Sequence, residues 1–308
     1  MSLPFRVVDA FTSSPFSGNP AAIVLFEASD RRADDSTFML NLAREFRHQE
    51  TAFLVPLSSP STTSAAEAER ETPSYGLRWF TPTVEFPLCG HATLASAHFL
   101  FSEHHPTASR LRFETKMSGS LFASRLEDER IELDFPADVS VVQEVDAFDE
   151  EHVREKLVEM SMPLEKAVVK VARGKLGWII ELEADYELET AVLDTAPLKT
   201  IDGYFMFSQS AKDRHPGFDI YSRVFDPLEP NPEDTVTGSA HCMLAPYYLS
   251  VASSRLPSPE EAGKRKTLRA KQGGVVRHGE LEVQWDVESW RVKLRGTAVT
   301  VMEGVLRL

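Results

Sequence analysis

The chain has 308 residues, with 33 Lys+Arg against 47 Asp+Glu and a formal net charge of −14. At roughly 100–200 residues per domain this length predicts two domains or one large one, long enough to bury about three quarters of its unfolded surface without staples. So acidic a chain lacks the basic stripe that a nucleic-acid partner requires, and no apolar run approaches the ~18 residues of a membrane-spanning helix.

In chain order, strands are expected at 5–10, 22–26 and 52–55, where β-branched and alternating apolar residues are bounded by Gly, Pro, Asp and Ser. A helix is expected over 35–46, because Phe38, Met39, Leu42, Ala43 and Phe46 recur at helical spacing. A strand at 75–80 follows, then an apolar, small-residue helix over 90–101 that opens on Gly90, then strands at 120–126 and 130–135. A charged amphipathic helix is expected over 149–159, with Glu150 and Arg154 paired i,i+4. Strands at 167–171, 177–182, 204–208 and 219–225 precede a second glycine-led apolar helix over 238–250, and strands at 280–285, 291–294 and 298–303 close the chain. Polar stretches at 58–74 and 253–266 read as solvated loops. Strands outnumber helices without βαβ alternation, which predicts an α+β fold.

An internal repeat organises these elements. Arg78-Trp79-Phe80-Thr81-Pro82 followed by Cys89-Gly90-His91-Ala92 matches Arg223-Val224-Phe225-Asp226-Pro227 followed by Thr237-Gly238-Ser239-Ala240. The copies lie about half a chain apart. They predict two like-folded halves, 1–128 (completed by 298–308) and 129–297, with a ligand site between them.

Two glycine-led helix starts offer close backbone approach and unpaired N–H groups, a natural place for a carboxylate or a developing enolate. The alternative is that Gly90 and Gly238 merely allow tight turns. Glu50, between a helix and a strand, would be a general base if semi-buried, although an exposed Glu is the commoner case. Asp234 and Ser239 could cap the second helix or hold a polar ligand group. His91 and His241 each fall in a first helical turn, and His98 shares a face with His91, but a third metal ligand is missing and no metal is expected. Cys89 precedes a helix, where a thiolate is stabilised, and reads as nucleophile, base or packing residue. Cys89 and Cys242 are the only cysteines, too few for a disulfide framework or zinc ribbon. Residues 1–9 lack a signal-peptide core, so a reduced, cytoplasmic protein without membrane partners is expected. Phosphate-loop, dinucleotide, zinc-peptidase and nucleophile-elbow motifs are missing from the sequence.

At these positions the chain resembles the phenazine-biosynthesis PhzF-like family, within the wider diaminopimelate-epimerase-like fold. The matching segments run in order from Val8-Asp9-Ala10-Phe11-Thr12 through Pro15-Phe16-Ser17-Gly18-Asn19-Pro20, Glu50-Thr51-Ala52-Phe53, Arg78 to Pro82, Glu85, Cys89 to Thr93, Tyr221 to Phe225, Glu233-Asp234 and Val236 to His241, ending at Gly273-Gly274. The resemblance implies two similar domains, each a curved mixed sheet or open barrel around one central helix. It also implies a homodimer and a cofactor-free isomerisation of a small cyclic hydroxy-amino carboxylate. In that scheme Glu50 moves the proton, His91, Asp234 and Ser239 contact the substrate, and the amides of Gly90 and Gly238 hold its carboxylate.

Related racemases carry a cysteine before each glycine, whereas here the second half has Thr237. A racemase or epimerase using Cys89 is therefore the alternative enzyme reading, and a non-catalytic small-ligand-binding protein on the same fold is the third. Gln49 stands where the family often has Ser, and Thr235 where it often has Pro. With Asn19, these positions flank the expected site and leave the substrate open.

Overall fold

The computed structural model describes residues 2–57, 72–250 and 267–307; the expected loop at 253–266, and most of that at 58–74, lie outside these. The chain divides into two compact units. One comprises Met1–Asp134 with Arg295–Leu308, the other Phe135–Leu294.

In the first unit, β1 (Ser2–Ala10) pairs antiparallel with β2 (Asn19–Leu25), and β2 pairs parallel with β3 (Glu50–Pro56). The crossover between them is α1 (Ser36–Phe46), whose first turn is capped by Asp35 accepting from the amides of Thr37 and Phe38. Next, β3 pairs antiparallel with β4 (Ser74–Phe80), which carries the short β5 (Glu85–Phe86) and runs parallel to β6 (Arg110–Thr115). The antiparallel β7 (Ser120–Arg125) and β8 (Ile131–Pro136) follow. The last strand of the chain, β17 (Ala298–Arg307), returns to pair antiparallel with the whole of β1.

Through the middle runs α2 (Gly90–Phe99), packed on β1, β2, β3 and β17. Its residues GHATLASAHF have no polar face, so the helix has no stable place at a surface. Every residue except His98 is buried, which requires the sheet to curve around it. The α-helix stops at Phe99, two residues short of expectation, and Leu100–His104 form a π-type turn closed by His105 N donating to Leu100 O.

The second unit repeats the sequence of pairings. After α3 (Ala147–Glu159) and the single turn α4 (Leu164–Ala167), β9 (Val168–Arg173) pairs antiparallel with β10 (Gly177–Leu182). Then β10 runs parallel to β11 (Tyr204–Ser210), and β11 antiparallel to β12 (Ile220–Phe225). The short β13 (Glu233–Asp234) lies on β12, which runs parallel to β14 (Thr267–Gly273). Finally β14 pairs antiparallel with β15 (His278–Asp286), ahead of β16 (Arg291–Gly296).

Its central helix is α5 (Gly238–Leu249), buried except at Ser239. Pro246 lies inside it and has no N–H for the Cys242 carbonyl. Asp138 N supplies that bond at 2.9 Å, so the buried acceptor is satisfied from outside the helix. The strands β6 and β14 were not anticipated: Arg110–Thr115 offers only two apolar residues in alternation, and on β14 the inward position 272 is a glutamine. Among the described residues, no helix is long and apolar enough to cross a membrane.

The repeat is visible side chain by side chain. Arg78 grips Glu85 with two bonds of 2.7 Å and stacks over Phe80; Arg223 grips Glu233 with two bonds of 2.7 Å and stacks over Phe225. Arg223 also donates to the Leu188 and Ala191 carbonyls at 3.1 and 2.6 Å. Arg223→Met therefore removes the two-pronged partner of Glu233 and the donor to two carbonyls, and should cost about 3 kcal/mol or more in urea denaturation. Arg78→Met should cost less, because among the described residues its guanidinium donates, beyond Glu85, to the Ser36 hydroxyl and to no carbonyl.

Candidate active site

Glu50 is the first residue of β3, opposite Ala21 in the parallel register with β2, and is 6% exposed. The sheet closes over it, so the exposed glutamate that the sequence favoured is corrected to a buried one. Asn19, two residues before Ala21, is fully buried at the start of the neighbouring strand; Gln49, just before Glu50, is half-buried.

The same unit presents the start of α2. Cys89 is its N-cap, in extended conformation (φ −132°, ψ 116°), and its side chain makes no capping bond. The thiol lies 3.4 Å from His91 Nδ1 instead. Gly90 and His91 fill the first helical positions, where backbone N–H groups have no intrahelical acceptor. His91 is 4% exposed, and burial, with a smaller contribution from the charge of His48, pushes its pKa down to about 3. The ring is neutral at pH 7. His48 itself lies two residues before Glu50, so the segment 48–50 and the α2 start are electrostatic neighbours.

The second unit presents the start of α5 with different side chains in the same frame. Counting from the Arg–Glu clamps, Thr237 occupies the place of Cys89, Gly238 that of Gly90, Ser239 that of His91 and Asp234 that of Phe86; by the register of β3 on β4 and of β11 on β12, Tyr204 occupies that of Glu50. Thr237 Oγ1 donates to Asp234 Oδ2 at 2.6 Å. Gln272 completes a ring of bonds: its Oε1 accepts from Thr237 N at 2.9 Å, while its Nε2 donates to the Asp234 carbonyl at 2.8 Å and to Thr237 Oγ1 at 3.0 Å. Asp234 thus braces the residue before the helix instead of capping the helix itself. Ser239 is half-buried at the second helical position. Gln272 was missed from the sequence; its only signal was its place directly before the Gly273-Gly274 match. There Gly273 has φ +117°, and a Cβ would meet Arg277 O at 2.4 Å.

His241 is fully buried with Nδ1 2.9 Å from the Thr237 carbonyl, and burial pushes it down to about 4. Burial pushes the Cys242 thiol up to about 12, the behaviour of an inert packing group. Both His91 and His241 titrate below the ~6.5 of an unfolded histidine. As pH falls below ~6.5, the unfolded chain binds protons that the folded chain refuses. The stability they contribute is complete above ~6.5 and is lost on the way down to about 4 for His241 and about 3 for His91. Thermal unfolding at pH 7 and pH 5 should show the drop, about 1 kcal/mol per pH unit for each ring, and His241→Gln should remove one ring's share of it.

The pattern of the phenazine biosynthesis-like protein family matches residues 8–304. The chain belongs to that family. It is 38% identical to phenazine biosynthesis-like domain-containing protein 2 of Mus musculus, with 99% of each chain covered. It is 36% identical over the full length of both chains to an uncharacterized isomerase of Halalkalibacterium halodurans. Among solved structures, a PhzF-family phenazine biosynthesis protein of Enterococcus faecalis aligns over 100% of both chains at TM-score 0.74 and 30% identity. A probable proline racemase from Agrobacterium radiobacter K84, at 12% identity and TM-score 0.52 over 99% of this chain and 92% of its own, shares the fold. The chain is accordingly an enzyme of the isomerase class, built on the α+β fold of the epimerases and racemases.

Proposed function

We propose that this enzyme is a cofactor-independent isomerase that moves a proton between carbons of a small cyclic carboxylate bearing hydroxyl or amino groups, with Glu50 as the proton carrier. The observation that carries the reading is a buried carboxylate at the mouth of β3, in the unit whose central helix opens on Gly90 without a side-chain cap. The C–H bond breaks, its proton passes to a Glu50 oxygen, and its electron pair moves into the adjacent π system. The protonated Glu50 then delivers the proton to a second carbon, so no oxidant or reductant is needed. The amides at Gly90 and Gly238 are suited to the substrate's carboxylate and to the negative charge that develops on it. His91, Asp234 and Ser239 supply orienting hydrogen bonds.

A two-thiol racemase is disfavoured, since the residue equivalent to Cys89 is Thr237, whose hydroxyl is committed to Asp234. The resemblance also carries a homodimer, which light scattering would report as twice the 34.5 kDa chain mass. The direct test is a thermal-shift screen of cyclic hydroxy- and amino-carboxylates, in which a ligand at 100 times its Kd adds about 2.7 kcal/mol. Hits are then incubated in D2O. Deuterium entering a carbon-bound position of a hit is the expected result. Hits that bind with no exchange and no isomerisation would make this a binding protein and overturn the reading.

A further inference from the structure

We propose that the Cys89 thiol sets the tautomer of His91, so that His91 presents Nε2–H as a neutral hydrogen-bond donor and Cys89 is a positioning residue instead of the reaction's base. The tautomer stands on the geometry alone; its use toward a substrate rests on the proposed function.

Cys89 and His91 are 5% and 4% exposed, and Sγ and Nδ1 are 3.4 Å apart. In a neutral pair a single hydrogen lies between them. The imidazole nitrogen is the better acceptor and sulfur the weaker one, so the thiol donates and the ring proton is left on Nε2. The charged alternative, thiolate with imidazolium, is opposed by the burial that depresses His91. Nε2 is buried and has no hydrogen-bond partner among the described residues. A buried N–H in that state carries a desolvation cost, which is recovered when a substrate oxygen accepts from it.

The second unit supplies an internal control. His241 Nδ1 lies 2.9 Å from the Thr237 carbonyl, which can only accept. His241 must therefore carry its proton on Nδ1 and leave Nε2 as the acceptor. Two buried histidines near matching helix starts should hold opposite tautomers.

The test is long-range 1H–15N correlation on 15N-histidine-labelled protein without substrate, assigned with His91→Gln and His241→Gln. The expected result is a pyridine-type Nδ1 and pyrrole-type Nε2 at His91, and the reverse at His241. Cys89→Ala should blur the His91 pattern, and Cys89→Ser, whose hydroxyl can also donate, should restore it. A pyrrole-type Nδ1 at His91 in the unmodified protein, or no change in Cys89→Ala, would overturn the tautomer assignment. With a substrate in hand, Cys89→Ala should raise KM about 10-fold with a smaller change in kcat, rescued by Cys89→Ser. A loss of kcat of ~10²-fold or more in both variants would instead make the thiol a base and overturn the positioning role.

Discussion

Glu50→Gln should lower solvent-deuterium incorporation into an accepted substrate by ~10²-fold or more while leaving the fold intact. A positioned general acid–base typically contributes 10²–10⁴-fold, and an amide of the same shape cannot accept the proton. The variant keeps the side-chain volume inside a packed sheet, so no cavity opens and no methylene is added. It also replaces a buried ionisable group with a neutral one, which removes a desolvation cost. Tm should therefore hold or rise. If Glu50 were structural, the order would invert: Tm would drop and exchange would persist at the unmodified rate. Glu50→Asp discriminates further. It keeps the carboxylate but withdraws it by one methylene, so a base that depends on position should recover only part of the activity.

Gly177→Ala should be the most destabilising single-methyl addition on the β10–β11 seam, at about 3 kcal/mol or more. Gly177 has φ +154° and pairs with Tyr204 in the parallel register. An added Cβ would lie 2.1 Å from Tyr204 O and 2.4 Å from Tyr204 N. Those are ladder atoms of the adjacent strand, not the flexible end of a side chain, so the strands must separate. Gly203, at φ +103° with its own Cβ position 2.8 Å from Gly177 Cα, closes the seam from the other side. Gly119→Ala is the control. It has φ +68° but nothing within 4 Å of the added methyl, so it should pay only the left-handed backbone cost of about 1–2 kcal/mol. Urea midpoints of the two variants separate the contact from the conformation. Equal losses would refute the seam as the cause.

The two central helices were legible because their sequences have no polar face to offer water. The duplicated Arg-x-Phe-x-Pro segments were legible because each arginine pairs with a glutamate only seven or ten residues away. β14 was not, since its inward Gln272 breaks the apolar alternation for a reason that lies 35 residues upstream, at Thr237. Likewise, nothing near Pro246 shows that Asp138 will satisfy the carbonyl the proline leaves open.

The candidate site divides along the same line. Sequence alone determined which residues open each helix, because N-terminal glycines and the residues preceding them act through local backbone geometry. It also determined that the halves carry unlike chemistry, with Cys89 and His91 in one and Thr237 and Ser239 in the other. The tertiary structure decided the burial of Glu50, which depends on β2 lying beside it in parallel register, with Ala21 opposite. It also decided that Thr237 and Asp234 are locked by Gln272, and that the Cys89 side chain turns to His91 instead of capping its helix. Local periodicity reports conformation within a few residues, whereas burial and hydrogen-bond partners are set by which distant strands come to lie alongside.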